Sequence, residues 1–173
     1  MAINNTFYGT VEEAIEYFAM RLHEFAWTAA STTDRQKALI AARRLIDQLN
    51  FKGYKSTVYT LLQSNSKATV EEIQAAEAQQ ANEFPRGTDT IVPEDICRAS
   101  YEIAHSLLDN KDPELELESL AVTSMGYGSV RTSYERSQVP IEHLVNLIPN
   151  ALAWRLLKPF LRDDDAMRLS RVS

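Results

Sequence analysis

The side chains best suited to bind a metal ion or to attack a substrate are few in this sequence and lie far apart. Its histidines are His23, His105 and His143, and none lies in an HExxH pattern or beside a second metal ligand at helical spacing. Cys97, the single cysteine, lies eight residues before His105 on one predicted helix, a separation of about 12 Å that is too long for one ion without further ligands. We therefore predict that the protein is not an enzyme and that it has no catalytic residue, no metal ligand and no cofactor.

Two short motifs have both a chemical and a structural interpretation. Residues 126–128 contain two glycines, as phosphate-binding loops do, but the GxxxxGK[ST] spacing and its lysine are absent, so a hairpin turn is the better interpretation. Asp163, Asp164 and Asp165 offer the oxygen ligands that divalent cations prefer. Three consecutive carboxylates cannot easily converge on one ion, so we interpret this run as a solvated acidic segment.

Composition and charge restrict the class of protein. The 173 residues are 45% hydrophobic, which is enough for one domain, residues 1–173, with a single core. The net charge is −6 and no segment collects a block of basic residues, so tight nonspecific binding to nucleic acid is disfavoured. The sequence has no apolar run of about 18 residues and no signal-like N-terminus. We expect a soluble protein that is made in a cytoplasm and has no membrane partner.

Signals for helix starts stand in front of apolar residues at helical spacing in four places, which predicts a mainly helical chain. Thr10 with Glu13 forms the first capping box and Thr33 with Gln36 forms the second. We place the first core helices in residues 10–54. Their predicted buried stripes are Val11, Ala14, Ile15, Phe18, Leu22 and Phe25 in the first helix, and Ala38, Ala42, Leu45, Ile46 and Leu49 in the second.

Residues 56–82 differ from the segments on either side of them. A polar stretch, Ser64 to Lys67, is typical of a loop. After it, Thr69 with Glu72 opens a run rich in Ala, Gln and Glu, which favours a helix but offers almost no apolar face. We interpret 56–82 as an insertion on the surface, either exposed or covered by a partner.

A further core helix is predicted in residues 92–110. Pro85 and Gly87 first break the chain after the insertion. Pro93 then suits a first helical position. The predicted buried side of this helix consists of Ile96, Ala99, Ile103 and Leu107, with Ala104 and Leu108 beside them.

An acidic stretch, Asp109 to Glu118, is interrupted by Pro113, so we interpret it as a solvated connector. Residues 119–136 then predict a β-hairpin whose turn is at 125–129. Such a pair of strands is marginally stable alone, so it should pack on the helices or on another subunit. The alternating strand residues are Leu120, Val122 and Ser124 before the turn and Val130, Thr132 and Tyr134 after it.

The C-terminal segment, residues 140–173, begins with a short helical stripe and continues with a strongly apolar run. Residues 151–161 are nearly all apolar, with Trp154 and Phe160 as large anchors. Two interpretations stay open: the run inserts into a groove on a partner, or it forms the last core helix of its own domain. The stripe before it consists of Ile141, Leu144, Val145 and Ile148.

The order and spacing of several motifs indicate a family. In chain order they are Tyr17-Phe18 with Trp27, Lys37 to Ala42, Leu45 to Asp47, Phe51 to Gly53, Phe84 to Gly87, Val92-Pro93, Ala99 to Ala104, Gly128 to Val130 with Ser133-Tyr134, and Leu156 to Leu161. Together they resemble the phage neck proteins called head-tail adaptors or connectors, which include a group described as DnaT-like single-strand DNA-binding proteins. The likeness covers roughly residues 10–162, and the insertion at 56–82 departs from it.

This resemblance implies a small helical bundle with a projecting β-hairpin and an extended C-terminal segment. It also implies a virion protein of the neck, made in a bacterial host, that forms a ring of about twelve copies. The implied partners are the portal protein, neighbouring copies and a tail, nozzle or terminator protein, while genome double-stranded DNA passes through without tight binding. The candidate interface residues are Tyr127, Val130, Arg131, Tyr134, Trp154, Leu157, Pro159, Phe160, Leu161 and Arg162.

A single-strand DNA-binding protein is the alternative function. Proteins of that class stack bases on aromatic side chains beside a basic groove. Tyr54, Tyr59, Tyr127 and Tyr134 are scattered along the sequence and have few lysines or arginines near them. Packing in the core or in an interface is therefore the favoured role for these tyrosines.

Overall fold

The computed structural model describes residues 6–121, 124–127, 130–133 and 142–162. Over these residues the chain forms nine α-helices and one pair of short strands, which confirms that the protein is mainly helical. A 3-10 turn, Lys158–Phe160, follows the last helix. The helices are α1 (Val11–Ala19), α2 (Phe25–Ala29), α3 (Thr32–Asp47), α4 (Ser56–Ser64), α5 (Val70–Ala78), α6 (Glu94–Leu108), α7 (Pro113–Ala121), α8 (Glu142–Val145) and α9 (Ala151–Leu157).

The centre of the bundle is α6, which packs against both α3 and α9, while α1 and α2 also contact it. Every residue of α6 from Ala99 to Ser106 is buried, so the helix is covered on all sides along two turns. The predicted stripe residues Ile96, Ala99 and Ile103 are all buried, as expected. Each large apolar side chain buried in this way contributes about 1.5–3 kcal/mol.

The first helix is shorter than its apolar stripe predicts. It ends at Ala19, and the chain turns there because the Arg21 amide donates to the Phe18 carbonyl at 3.0 Å. The prediction that Leu22 and Phe25 lie on a buried helical face is therefore wrong: their exposed fractions are 82% and 80%. The apolar residues after α1 continue its helical spacing in the sequence, but in the structure they lie outside the helix.

The start of α3 also differs from its prediction. Its N-cap is Ser31, whose hydroxyl accepts the amide hydrogen of Asp34 at 3.2 Å, so the box between Thr33 and Gln36 is wrong. Ser31 has the extended backbone that a cap requires, whereas Thr33 is already helical. The buried face of α3 consists of Ala38, Leu39, Ala42 and Ile46.

The predicted insertion, residues 56–82, folds into two helices, α4 and α5, that contact each other and that we call the arm. The capping box predicted for the second of them is confirmed: the Thr69 hydroxyl accepts from the Glu72 amide at 3.3 Å, and the Glu72 carboxylate accepts from the Thr69 amide at 2.8 Å. Val58 and Ala76 are buried, but neither belongs to the main core cluster. The arm is therefore a small packing unit attached beside the bundle.

The acidic connector predicted after α6 is wrong over part of its length, because residues Pro113–Ala121 form α7. Asp112 initiates this helix: its carboxylate accepts the amide hydrogen of Glu114 at 3.0 Å. Pro113 is compatible with a first helical turn, where no intrahelical partner is needed for its nitrogen. Leu120, predicted as a strand residue, lies in α7.

Two short strands follow, β1 (Ser124–Tyr127) and β2 (Val130–Ser133). They pair antiparallel, with Ser124 opposite Ser133 and Tyr127 opposite Val130. Met125 and Gly126, which were predicted in the turn, are paired strand residues. The described residues give this ladder and do not show a hairpin that projects from the bundle; 128–129 and 134–141 lie outside them.

The C-terminal segment folds back onto the bundle. In α9, Trp154 and Leu157 belong to the main core, with exposed fractions of 7% and 0%. The second interpretation, a last core helix, therefore describes this part of the chain, and an extended conformation is wrong for residues 151–160. Val145 of the predicted stripe is exposed, whereas Leu144 and Ile148 are buried.

Different loops lie at the two ends of the bundle. The start of α3 lies beside Trp27, whose carbonyl accepts from Arg35 at 2.9 Å. The other end of α3 lies at Asp47, whose carboxylate accepts the Glu83 amide at 3.4 Å. Because α3 has 16 residues, these ends are about 24 Å apart at 1.5 Å per residue. We call residues 20–25, next to Trp27, the corner, and we call segments 50–56, 84–87 and 158–162 together the loop end.

Candidate protein interaction surface

At the loop end, three distant segments of the chain lie side by side. Phe51 and Leu161 form an antiparallel bridge. The Lys52 amide donates to the Phe160 carbonyl and the Arg162 amide to the Asn50 carbonyl, both at 2.9 Å. The C-terminal segment is therefore fixed to the bundle as far as Arg162.

The third segment of the loop end is held by the side chain of Arg86. Its guanidinium donates to the carbonyls of Lys52 at 2.9 Å and Gly53 at 2.6 Å, and to the carboxylate of Glu83 at 2.5 Å. Lys55 also forms a bridge with Arg86 and an ion pair with Glu83 at 3.2 Å. Arg86 thus satisfies carbonyls that would otherwise lack partners in a tight loop.

Aromatic side chains fill the space beneath these segments. The rings of Phe51 and Phe84 meet edge to face, with centroids 4.7 Å apart, and Phe84 meets Phe160 in the same way at 5.7 Å. Tyr8 contacts Phe84 from the other side, and its hydroxyl donates to Asp47. Burial, with the nearby Asp47 charge, raises the pKa of Tyr8, so this hydroxyl stays protonated. The rings of Phe51, Phe84 and Phe160 therefore pack against one another at the loop end.

The corner has the opposite character. Met20, Leu22 and Phe25 lie within six residues, and the first is 92% exposed, the most of the three. Glu16 stands one helical turn before Met20, and Glu24 precedes Phe25, so carboxylates flank the apolar side chains. Large apolar patches rimmed by polar groups mark sites of protein association.

A buried carboxylate holds the corner in place. Glu102 of α6 is fully buried and accepts hydrogen bonds from the Tyr17 hydroxyl at 2.7 Å, from Arg21 at 2.5 Å and from the Asn150 amide at 3.0 Å. Burial, then the bond to Glu102, raises the pKa of Tyr17 to about 12. Since Arg21 belongs to the corner itself, this ion pair anchors the corner to the core.

The residue that connects this network to α9 is Asn150. Its side-chain oxygen caps α9 by accepting the amides of Leu152 and Ala153, while its nitrogen donates to Glu102 and to Ser106. One side chain therefore both starts a helix and completes the site beneath the corner.

His105 lies under the corner, against the ring of Phe18 at a centroid distance of 5.3 Å. Burial, and next the charge of Arg21, lowers the pKa of His105. Its Nε2 atom is buried without a hydrogen-bond partner. The neutral ring packs as part of the core, and the other predicted structural histidines, His23 and His143, are exposed and half-buried respectively.

Left-handed backbone marks the corner and the turns near it. Among the residues that the structure describes, three that are not glycine have positive φ, namely His23 at 62°, Asn110 at 56° and Leu147 at 57°, and they follow α1, α6 and α8. At the loop end the same conformation is given to glycines, Gly53 and Gly87. Non-glycine residues in this region cost free energy, and they concentrate where function requires a particular shape.

The structure separates the predicted interface residues. Trp154 and Leu157 are buried in the protein's own core, on a helix that packs against α6, and their role in an interface stays a prediction. Phe160 and Leu161 are half-buried at the loop end, while Pro159 and Arg162 are exposed there. The side chains of Tyr127, Val130 and Arg131, and all of Tyr134, lie outside the described residues.

Sequence reasoning missed the corner. Residues 19–24 contain no glycine, proline, asparagine, aspartate or serine, so nothing announces the end of α1. The pairing of Arg21 with Glu102 joins residues 81 positions apart, which no local pattern indicates.

Over the described ranges, no group of three or more His, Cys, Asp or Glu residues converges to hold a metal ion. Cys97 is half-buried, and burial followed by the charges of Glu13 and Glu94 raises the pKa of its thiol to about 11, which disfavours the reactive thiolate. No helix in the described part of the chain has the length and apolarity to cross a bilayer. No protein-family model, no curated protein and no solved structure matches the chain.

Proposed function

We propose that the protein is a structural head-to-tail adaptor of a tailed phage, which forms a ring below the portal, joins capsid to tail and lets genome DNA pass. The observation that carries the proposal is the corner, where Met20, Leu22 and Phe25 stay in solvent although the chain has a complete core. A protein whose task is assembly has a use for such a surface.

The corner is also preformed. The ion pair of Arg21 with buried Glu102 fixes its backbone, so a partner would not have to order it on binding. Preformed surfaces lose less conformational entropy on association and therefore bind more tightly. This favours a docking role over a loose surface turn.

A ring of identical subunits requires two unlike faces on each copy. The corner and the loop end lie at opposite ends of α3, which suits that requirement. In this proposal the hairpin formed by β1 and β2 projects from the bundle, and the C-terminal segment meets the portal through exposed Pro159 and Arg162 rather than through α9. The protein would be made in the bacterial cytoplasm and become part of the virion neck.

The test is electron microscopy of the full chain mixed with its portal protein. We expect a ring on the portal, and we expect the double variant Leu22→Glu, Phe25→Glu to lose it while circular dichroism stays unchanged, because both side chains are exposed. Leu115→Glu is the matched control, since Leu115 is 62% exposed on α7. A ring that forms equally well with the double variant would remove the corner from the proposal, and absence from purified virions would remove the proposal itself.

Titration with single-stranded DNA at physiological salt addresses the other class of function. We expect no binding in the micromolar range, because the chain carries a net charge of −6. Micromolar or tighter binding with a steep salt dependence would replace the adaptor by a DNA-binding protein.

A further inference from the structure

The sequence after Arg162 has a pattern that fits the chemistry of the corner. Met167, Leu169 and Val172 are apolar, and Arg168 and Arg171 stand between them. A segment of this kind can place apolar side chains on a patch while its cations meet carboxylates around that patch.

The corner offers the complementary arrangement. Its apolar side chains are flanked by Glu16 and Glu24, and in the described part of the chain neither carboxylate forms a salt bridge. Arg21, the one arginine within residues 20–25, is already paired with Glu102, and Arg35 donates to the carbonyls of Trp27 and Thr28. The corner therefore presents apolar surface with unmatched negative charge.

Distance decides which copy of the corner the segment can reach. Arg162 is bonded to Asn50, at the loop end, and the corner lies beside the other end of α3, whose 16 residues span about 24 Å. Met167 is five residues further along the sequence, and five fully extended residues span at most about 17 Å. Met167 therefore falls short of the corner of its own chain. Leu169, seven residues along, would reach it only as a fully straight chain of about 24 Å, so the two side chains cannot both dock there.

We propose that residues 166–172 of one copy dock on the corner of a second copy, with Met167 and Leu169 against the apolar side chains and the two arginines beside Glu16 and Glu24. The inference deepens the adaptor proposal, on which it rests, by naming the contact between neighbouring copies. Each copy would give its C-terminal segment to one neighbour and accept that of the other, as an interface between unlike faces requires.

Disulfide cross-linking of full chains tests this contact. The background variant is Cys97→Ala, so that every thiol is introduced. One chain carries Leu22→Cys and the other Leu169→Cys; they are mixed under mild oxidation and separated without reductant. We expect a mixed dimer in at least about tenfold excess over the control pair, in which Leu115→Cys replaces Leu22→Cys; Leu115 is also exposed and has acidic neighbours.

Charge reversal then tests the arginines. Arg168→Glu with Arg171→Glu should reduce the mixed dimer about tenfold, and Glu16→Lys with Glu24→Lys on the partner chain should restore it. A yield equal to that of the control pair would overturn the inference. So would a chain carrying both cysteines that closes only on itself. If cross-linking fails while the protein still forms a ring on the portal, the C-terminal segment serves another contact and the adaptor function stands.

Discussion

Each end of the bundle is held by one arginine, and the two arginines bind different kinds of group. At the loop end, Arg86 binds backbone carbonyls and Glu83, over a closed set of aromatic rings. At the corner, Arg21 reaches down to buried Glu102 and leaves apolar neighbours in solvent. At the loop end the arginine holds segments that cover the core. At the corner the buried ion pair holds a turn whose apolar side chains stay exposed to solvent. Buried pairs of this kind are weak sources of stability, so their value is in defining shape.

Of the tests that compare the two ends, truncation of the chain should have the largest effect on stability. A chain that ends at Ile148 loses Trp154 and Leu157 from the core, and removal of such residues costs about 2–5 kcal/mol each. We expect it to be unfolded by circular dichroism, because whole domains are stable by only about 5–15 kcal/mol. A chain that ends at Arg162 keeps the loop end and should melt like the full chain. A folded, cooperative chain ending at Ile148 would show that α9 is not part of the core.

The second effect concerns the carboxylate beneath the corner. Glu102→Ala leaves the hydrogen-bond donors of Tyr17, Arg21 and Asn150 without their acceptor, so we expect a loss of about 3–5 kcal/mol in the free energy of unfolding. Urea denaturation measures it. Glu94→Ala is the control, because Glu94 pairs with Arg98 on the surface. A loss below about 1 kcal/mol would mean that the corner is not anchored by this network.

The third effect compares left-handed residues at the two ends. His23→Gly should stabilise the fold by about 0.5–1 kcal/mol, because an L-residue with φ of 62° is strained and glycine is not. Gly53→Ala should destabilise by a similar amount, and only through its φ, since an added methyl group would meet no atom within 4 Å. Thermal unfolding of both variants checks the pair. If both substitutions changed the stability in the same direction, the proposed difference in backbone strain between the two ends would be wrong.

The smallest effect is the pH dependence of stability from His105. Because its pKa is lowered in the folded state, the unfolded chain takes up the proton first as pH falls through about 6.5. The folded state therefore loses stability below that pH, until the folded pKa is passed. We expect the melting temperature to fall more steeply from pH 7.5 to 5.5 in the natural protein than in His105→Gln. Parallel curves would show that His105 is equally free to titrate in both states.

Local patterns predicted the core helices well, because α3 and α6 carry apolar residues at a constant helical period. The same reasoning failed for α1, since Leu22 and Phe25 continue its period after the helix has ended. It failed again at Pro113, where a proline interpreted as a break is the first residue of a helix. The spacing of apolar residues indicates which residues could share one face of a helix. It does not indicate where that helix ends.

The candidate site depended on contacts between distant residues. Glu102 is a charged residue in the middle of an apolar stripe, and its partners come from α1, from the corner and from the residue before α9. By contrast, the resemblance motifs at 51–53, 84–87 and 156–161 were visible in sequence, and the structure brings them together at the loop end. The sequence did not predict that these segments meet, and it missed the surface that is left exposed.

Asn150 gives the two ends a mechanical connection. The segment that ends at Arg162 is joined to segment 50–52 by a short bridge, and it follows α9, whose first turn is capped by the side chain of Asn150. The same amide holds the carboxylate that fixes Arg21. The start of α9 and the anchor of the corner therefore depend on one side chain, so a substitution at Asn150 would disturb both.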